Sequence, residues 1–131
     1  MTRALGLDHG EARCGVAVSD PTGEIVTPLD VVERPDTRRG LARVADVVRE
    51  REAEVVVVGL PLTLAGEEGA QAQAARAFAE RLSQAVDVPV ELHDERLTTR
   101  MADRTGGAAA SDSVAAAHLL ESWLQARRAA R

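Results

Sequence analysis

Apolar residues in this chain occur in two spacings, short unbroken runs and helical i, i+3, i+4 stripes, and the two alternate after an opening pair of runs. Ala4-Leu5-Gly6-Leu7 is a strand-length run that breaks at Asp8. Asp8-His9-Gly10 supplies turn residues, and Cys14-Gly15-Val16-Ala17-Val18 resumes as a second strand, so the segment reads as a hairpin with an acid at its rim. Asp20-Pro21-Thr22-Gly23 is a turn by composition, and Ile25 through Val32 reads as a third strand interrupted by Pro28, which argues for an edge or a bulge. Asp36-Thr37 can cap a helix beginning near Arg38, with Leu41, Val44, Ala45 and Val48 as its apolar positions up to about Glu52.

Val55-Val56-Val57-Val58 shows no alternation, as expected of a strand buried on both faces, and Gly59-Leu60-Pro61 is expected to end it. A second helix is expected from about Ala70 to Ala85, with Ala74, Ala77, Phe78, Leu82 and Ala85 on its apolar face. Asp87 to Leu92 reads as a strand with Val88, Val90 and Leu92 facing one way, leading into His93-Asp94-Glu95-Arg96. A short helix fits Thr98 to Arg104, then Thr105-Gly106-Gly107 breaks it. The last helix is expected from about Asp112 to Ala126, with Ala116, Leu119, Leu120, Trp123 and Leu124 as one stripe that Asp112 continues by a turn. An antiparallel meander followed by helix-strand alternation implies an α/β domain: a mixed five-stranded sheet with helices on both faces. No repeat or linker composition divides residues 1–131, so one domain is expected.

Composition narrows the picture without changing it. Phe78 and Trp123 are the aromatic residues, so the core has to be aliphatic. All basic residues are Arg, and sixteen of them against twenty-one acidic residues give a net charge of −5, which opposes a uniformly basic nucleic-acid-binding surface. A nucleic-acid role needs local asymmetry. The single Cys14 cannot form an intramolecular disulfide and suits a small core residue. No stretch has a signal-peptide pattern, and the apolar runs fall far short of the roughly 20 residues needed to span a bilayer, so a soluble cytoplasmic protein is expected.

Three acids stand at element ends: Asp8 after the first strand, Glu95 after the last, and Asp112 at the start of the final helix. Gathered at one sheet edge, carboxylates are hard oxygen ligands suited to Mg²⁺ or Mn²⁺. Two such ions about 3.5–4 Å apart can activate a water and stabilise a leaving oxygen in phosphodiester cleavage. Taken one at a time the same residues have plainer roles. Asp8 is a turn acceptor, Asp112 between Ser111 and Ser113 a helix cap, and Glu95 beside Arg96 half of a surface ion pair.

The combination resembles a known family. LGLDHGEARCGVAVSD at 5–20, VVVGLPL at 56–62, DERLTT at 94–99 and DSVAAAHLLESWL at 112–124 are similar to the YqgF family, also called RuvX-type, of Holliday junction resolvases or pre-16S rRNA nucleases. The likeness covers nearly the whole chain. It implies an RNase H-like fold, a pair of Mg²⁺ or Mn²⁺ ions, and a divalent-metal-dependent endonuclease acting on nucleic acid, either precursor 16S rRNA or branched DNA, without a nucleotide cofactor. By the same resemblance Asp8, Glu95 and Asp112 match the family's metal-binding catalytic acids. Arg13 fits a family position just after the turn and is suited to holding a phosphate bidentately, as is Arg96. Asp94 should face the opposite way from Glu95, Asp20 reads as a turn acceptor, and the family pattern requires neither His9 nor His93. His118 lies beside the last helix's stripe and reads as structural.

Two departures from the family bear on substrate binding. Thr63-Leu64-Ala65-Gly66 lacks the Asn and Asp that commonly precede Gly in relatives, and only Arg100 to Ser111 separates DERLTT from Asp112, where relatives usually carry a longer, more basic segment. Substrate contact then falls to Arg100 and Arg104, and to Arg38, Arg39 and Arg43. A binding module without catalysis is the alternative from another class, against which the three retained acids count. An actin-like phosphate-binding ATPase shares the opening GLDxG turn but needs two domains around its nucleotide.

Overall fold

In the computed structural model, described for residues 2–96 and 108–130, β1 (Ala4–Asp8) and β2 (Arg13–Ser19) pair antiparallel with Asp8 opposite Gly15. β3 (Val26–Pro28) and β4 (Val32–Glu33) both pair antiparallel with β2. The expected third strand is therefore two pieces. Pro28 closes the first, and the two-residue β4 is one strand more than the five expected.

Thr37 caps α1 (Arg38–Glu50), its hydroxyl accepting from the Gly40 backbone N–H at 3.0 Å. The helix leads to β5 (Val55–Leu62), parallel to β1. α2 (Ala70–Ala85) then crosses to β6 (Val90–Arg96), parallel to β5, and α3 (Ala108–Ala129) ends the fold. The sheet order is β3-β2-β1-β5-β6, with β4 beside β2, which is the mixed α/β architecture the periodicities implied. Among the described residues no helix is long and apolar enough to cross a membrane.

Both strands that carry the family motifs run further than expected. β5 does not stop at Gly59 but stays paired with β6 through Leu62↔Arg96. Its ladder with β1 runs from Ala4↔Val55 to Leu7↔Val58, so beyond that point one side of β5 is open, where a proline costs no ladder hydrogen bond. Pro61 pairs there with Glu95, which makes Glu95 a strand residue and not one that follows a strand. At the other end, α3 begins at Ala108, so Asp112 is not its capping residue but lies inside it. The expected helix over Thr98 to Arg104 falls outside the described residues.

Alternation divides the core between the two sheet faces. Leu5, Leu7, Val16, Val56 and Val58 pack with Val44, Val48, Phe78 and Leu82 of α1 and α2. Ala4, Ala17, Val55 and Val57 pack with Ala116, Leu119, Leu120, Trp123 and Leu124, the stripe expected on α3. The valine run is thus buried on both faces, as its lack of alternation required. α2 has the expected bounds with a different phase: Ala72, Ala75, Phe78, Ala79 and Leu82 are buried, whereas Ala74, Ala77 and Ala85 are exposed. Alanine lies on every side of this helix, so only Phe78 and Leu82 could report its inward face.

Candidate active site

Along β1, Ala4 packs into the α3 core and Gly6 lies under Ala116 and Leu120 of α3, so alternation brings Asp8 to the same face at the strand's carboxyl end. It is 9% exposed there. Opposite it, Gly15 leaves room for the backbone of α3: a Cβ at this position would fall 1.9 Å from the Asp112 carbonyl oxygen. The Ser113 hydroxyl donates to the Leu29 carbonyl and ties the same turn of α3 across the β3-β4 connection. Asp112 is therefore fixed beside the Asp8–Gly15 pair from two sides. Gly within a strand signals close backbone approach, and that signal in Gly15 was available in the sequence. The anchoring role of Ser113 was not.

Glu95 arrives from β6. The preceding residues of the same parity contact α3, Glu91 accepting from the Trp123 indole N–H at 3.2 Å and His93 Nε2 lying 3.0 Å from the Ser122 hydroxyl. Glu95 continues that row and is 8% exposed. Gly59, the residue after the Leu7 partner Val58, lies between β1 and β6, and a Cβ there would come 3.8 Å from the Glu95 Cβ. Asp8, Glu95 and Asp112 thus occupy one sheet face at its carboxyl edge. Asp94 has the parity of Leu92, which packs against the opposite core, and is exposed, as alternation implied.

The Cys14 thiol registers the local charge. Burial, then the carboxylates of Asp8, Asp112 and Asp36, push its pKa far above the ordinary thiol value. A thiol so disfavoured as thiolate is no nucleophile, and Cys14 is the small core residue expected.

Arg13 has the parity of Gly15 and Ala17, which face α3. Its Nε lies 3.8 Å from Asp112 Oδ2, with the two side chains 31% and 28% exposed. Arg96 ends β6, and Arg100 and Arg104 lie outside the described residues. Arg43 pairs with Glu50 at 3.2 Å along α1, while Arg38 and Arg39 are exposed in its first turn.

His9 follows Asp8 and therefore belongs to the opposite face. Its Nε2 lies 2.9 Å from Asp36 Oδ1, its ring centroid is 4.8 Å from that of Phe78, and its side chain is 3% exposed. His93 is engaged by Ser122, and burial lowers its pKa. His118 pairs with Glu121 on the exposed side of α3. Asp20, at the far end of β2, accepts from Thr22 and from the backbone N–H groups of Glu24 and Ile25, the turn role expected of it.

The donor set has the chemistry of a hard divalent cation: oxygen only, three carboxylates, two of them buried. A guanidinium already lies against the third, at a position a cation suits. As the side chains stand, no three His, Cys, Asp or Glu among the described residues are grouped tightly enough to hold an ion together.

Comparison with known proteins agrees with this architecture. Residues 2–126 match the RuvX family model, described as Holliday junction resolvase. A Nocardia farcinica protein named for pre-16S rRNA nuclease activity is 46% identical over 143 residues, covering 97% of this chain and 79% of its own. One from Anaeromyxobacter sp. with the same name is 46% identical over 136 residues, covering 97% of this chain and 99% of its own. Among solved structures, T. thermophilus RuvC in complex with a Holliday junction substrate has a TM-score of 0.62 at 18% identity, covering 98% of this chain and 97% of that one. The fowlpox virus Holliday junction resolvase has a TM-score of 0.57 at 13% identity, covering 95% and 99%. The two structures share the RNase H-like fold that the resemblance implied, and the sequence match along nearly the full length carries the relationship further: this chain belongs to the RuvX family.

Proposed function

We propose that the protein is a divalent-metal-dependent endonuclease of the cytoplasm, cleaving phosphodiester bonds in the 5′-end processing of precursor 16S rRNA. The observation that carries this reading is the gathering of Asp8, Glu95 and Asp112 on one face at the carboxyl edge of the sheet, with Gly15 admitting the α3 backbone beside Asp8. The names of relatives at 46% identity favour RNA as the substrate, and the family's description makes branched DNA the alternative.

In this reading Asp8 anchors the ions from the rigid centre of the sheet, and Glu95 and Asp112 complete the ligand set from β6 and α3. Bound Mg²⁺ or Mn²⁺, as a pair, supplies Lewis-acid polarisation of the phosphate and an acidified water. The chain's own contribution is geometric. Strand and helix bring the three carboxylates to one sheet face, from which side-chain rotation would close them on an ion. Arg13, and Arg96 at the end of β6, hold substrate phosphates, while sequence identity is left to contacts elsewhere.

The test is incubation of purified protein with a precursor 16S rRNA fragment and with a four-way DNA junction, in Mn²⁺, Mg²⁺ or EDTA, beside Asp8→Asn. Metal-dependent cleavage that the variant loses is expected, on the RNA first. Equal cleavage by Asp8→Asn would overturn the assignment, and binding of either substrate without cleavage would favour a binding module.

A further inference from the structure

We propose that Arg13 and a divalent ion compete for the Asp112 carboxylate, and that the ion, by taking Asp112, hands Arg13 to a substrate phosphate. The inference rests on the metal-nuclease reading above and adds to it an order of events within the site.

Arg13 opens β2, on the face that carries Asp8, one pleat beyond Gly15. Its guanidinium lies on Asp112 through Nε at 3.8 Å, with both side chains about a third exposed. An ion that takes Asp112 Oδ2 would compete with the guanidinium for the same oxygen, and the two like charges would repel each other. A partly exposed pair held at that distance is weak, whereas a doubly charged ion held by Asp112 would be attracted to it more strongly than a single guanidinium charge is. The ion therefore wins Asp112 readily. The released Arg13 would keep its planar fork at the end of β2, and that fork matches phosphate oxygens bidentately. The strand end itself is held in place: β4 pairs Glu33 with Arg13, and the Arg34 N–H donates to the Ala12 carbonyl at 2.9 Å.

The signature is a pair of effects of opposite sign. Mn²⁺ is titrated calorimetrically into the full chain for wild type, Arg13→Ala, Arg13→Gln, Arg34→Gln and Asp8→Asn. Binding of a fluorescent four-way DNA junction and of a precursor 16S rRNA fragment is measured in Ca²⁺. Both Arg13 variants are expected to bind Mn²⁺ roughly two- to fivefold tighter, the range a weak exposed ion pair represents, and to bind nucleic acid more weakly than wild type. Arg34→Gln removes a neighbouring charge that does not touch Asp112 and should leave Mn²⁺ affinity unchanged. Arg13 variants that bind Mn²⁺ no better than wild type, or Arg34→Gln tightening Mn²⁺ equally, would overturn the competition. Nucleic-acid binding undiminished in the Arg13 variants would overturn the transfer to phosphate. Wild type and Asp8→Asn taking up Mn²⁺ alike would instead defeat the metal reading itself, and this inference with it.

Discussion

The Asp112 carbonyl oxygen lies 1.9 Å from where a Cβ of Gly15 would be, so α3 rests its backbone directly on the strand that pairs with Asp8. The two acids are far apart in sequence, and this contact is what makes them neighbours. A side chain of any size at residue 15 would separate the helix from the sheet at the one place where the site needs them together. Gly6, further down β1, repeats the arrangement less tightly, with Ala116 O and Leu120 Cβ each 3.0 Å from its virtual Cβ.

Gly15→Ala should therefore act on stability and on chemistry at once. Overpacking of this kind costs about 1–3 kcal/mol, and here the opposing atoms are helix backbone, which cannot rotate away. Urea denaturation should show the loss of stability. At urea-free conditions, where the variant is still folded, cleavage should fall further than Mn²⁺-free stability alone explains, because Asp112 is displaced from Asp8. Wild-type cleavage in a folded Gly15→Ala protein would show that the contact does not position the acid.

How far the sequence reached depends on what each segment had to report. The valine run from Val55 to Val58 has no polar position and so declared its two-sided burial, and the α3 stripe declared its inward face with large residues such as Leu119 and Trp123. Strand ends were less legible. Gly59 and Pro61 look like terminators in isolation, but the end of β1 opens one side of β5 and the ladder with β6 continues past both. That long-range fact moved Glu95 into a strand. The separation of Glu95 from Asp94, unlike the element that carries them, followed from alternation alone, whereas the turn of His9 away from Asp8 towards Asp36 and Phe78 shows only in the fold. That Asp112 lies beside Asp8 was not readable from spacing, because it depends on α3 crossing over Gly15.

The phase of α2 offers a second test, since an alanine-rich helix conceals it. Ala75 is fully buried and Ala77 exposed. Ala75→Leu should cost about 1–3 kcal/mol by overpacking, whereas Ala77→Leu should stay within about 0.5 kcal/mol. Chemical denaturation of the two variants distinguishes the phases, and the reverse order would restore the face expected from Ala74, Ala77 and Ala85.

Asp20 provides a pH-dependent prediction away from the site. Its carboxylate accepts first from Thr22 and then from the Ile25 backbone, which lowers its pKa in the folded state below the ordinary value of 3.8. A group with a depressed folded pKa contributes stability above its unfolded pKa and loses it as pH falls through the folded one. Part of the wild-type stability should therefore disappear as pH drops below about 4. Asp20→Asn should lack that part of the pH dependence, as followed by thermal unfolding between pH 7 and pH 3. Parallel curves for the two proteins would show that the turn does not depend on the ionised carboxylate.

His9 and Asp36 contribute unequally to the bond they share, and that inequality gives the last prediction. The His9 side chain is 3% exposed and Asp36 is 42% exposed, so loss of either partner leaves a different remainder. Asp36→Ala strands a buried imidazole nitrogen, and an unsatisfied buried polar group costs about 1–3 kcal/mol. His9→Phe leaves a carboxylate that water can reach, with Arg81 still 3.7 Å away, and puts an apolar ring against Phe78. The Asp36 variant should accordingly be the less stable of the two in urea, although its substituted residue is the more exposed. If His9→Phe proved the more damaging, the imidazole would owe its place to packing that a phenyl ring cannot reproduce, and not to its hydrogen bond with Asp36.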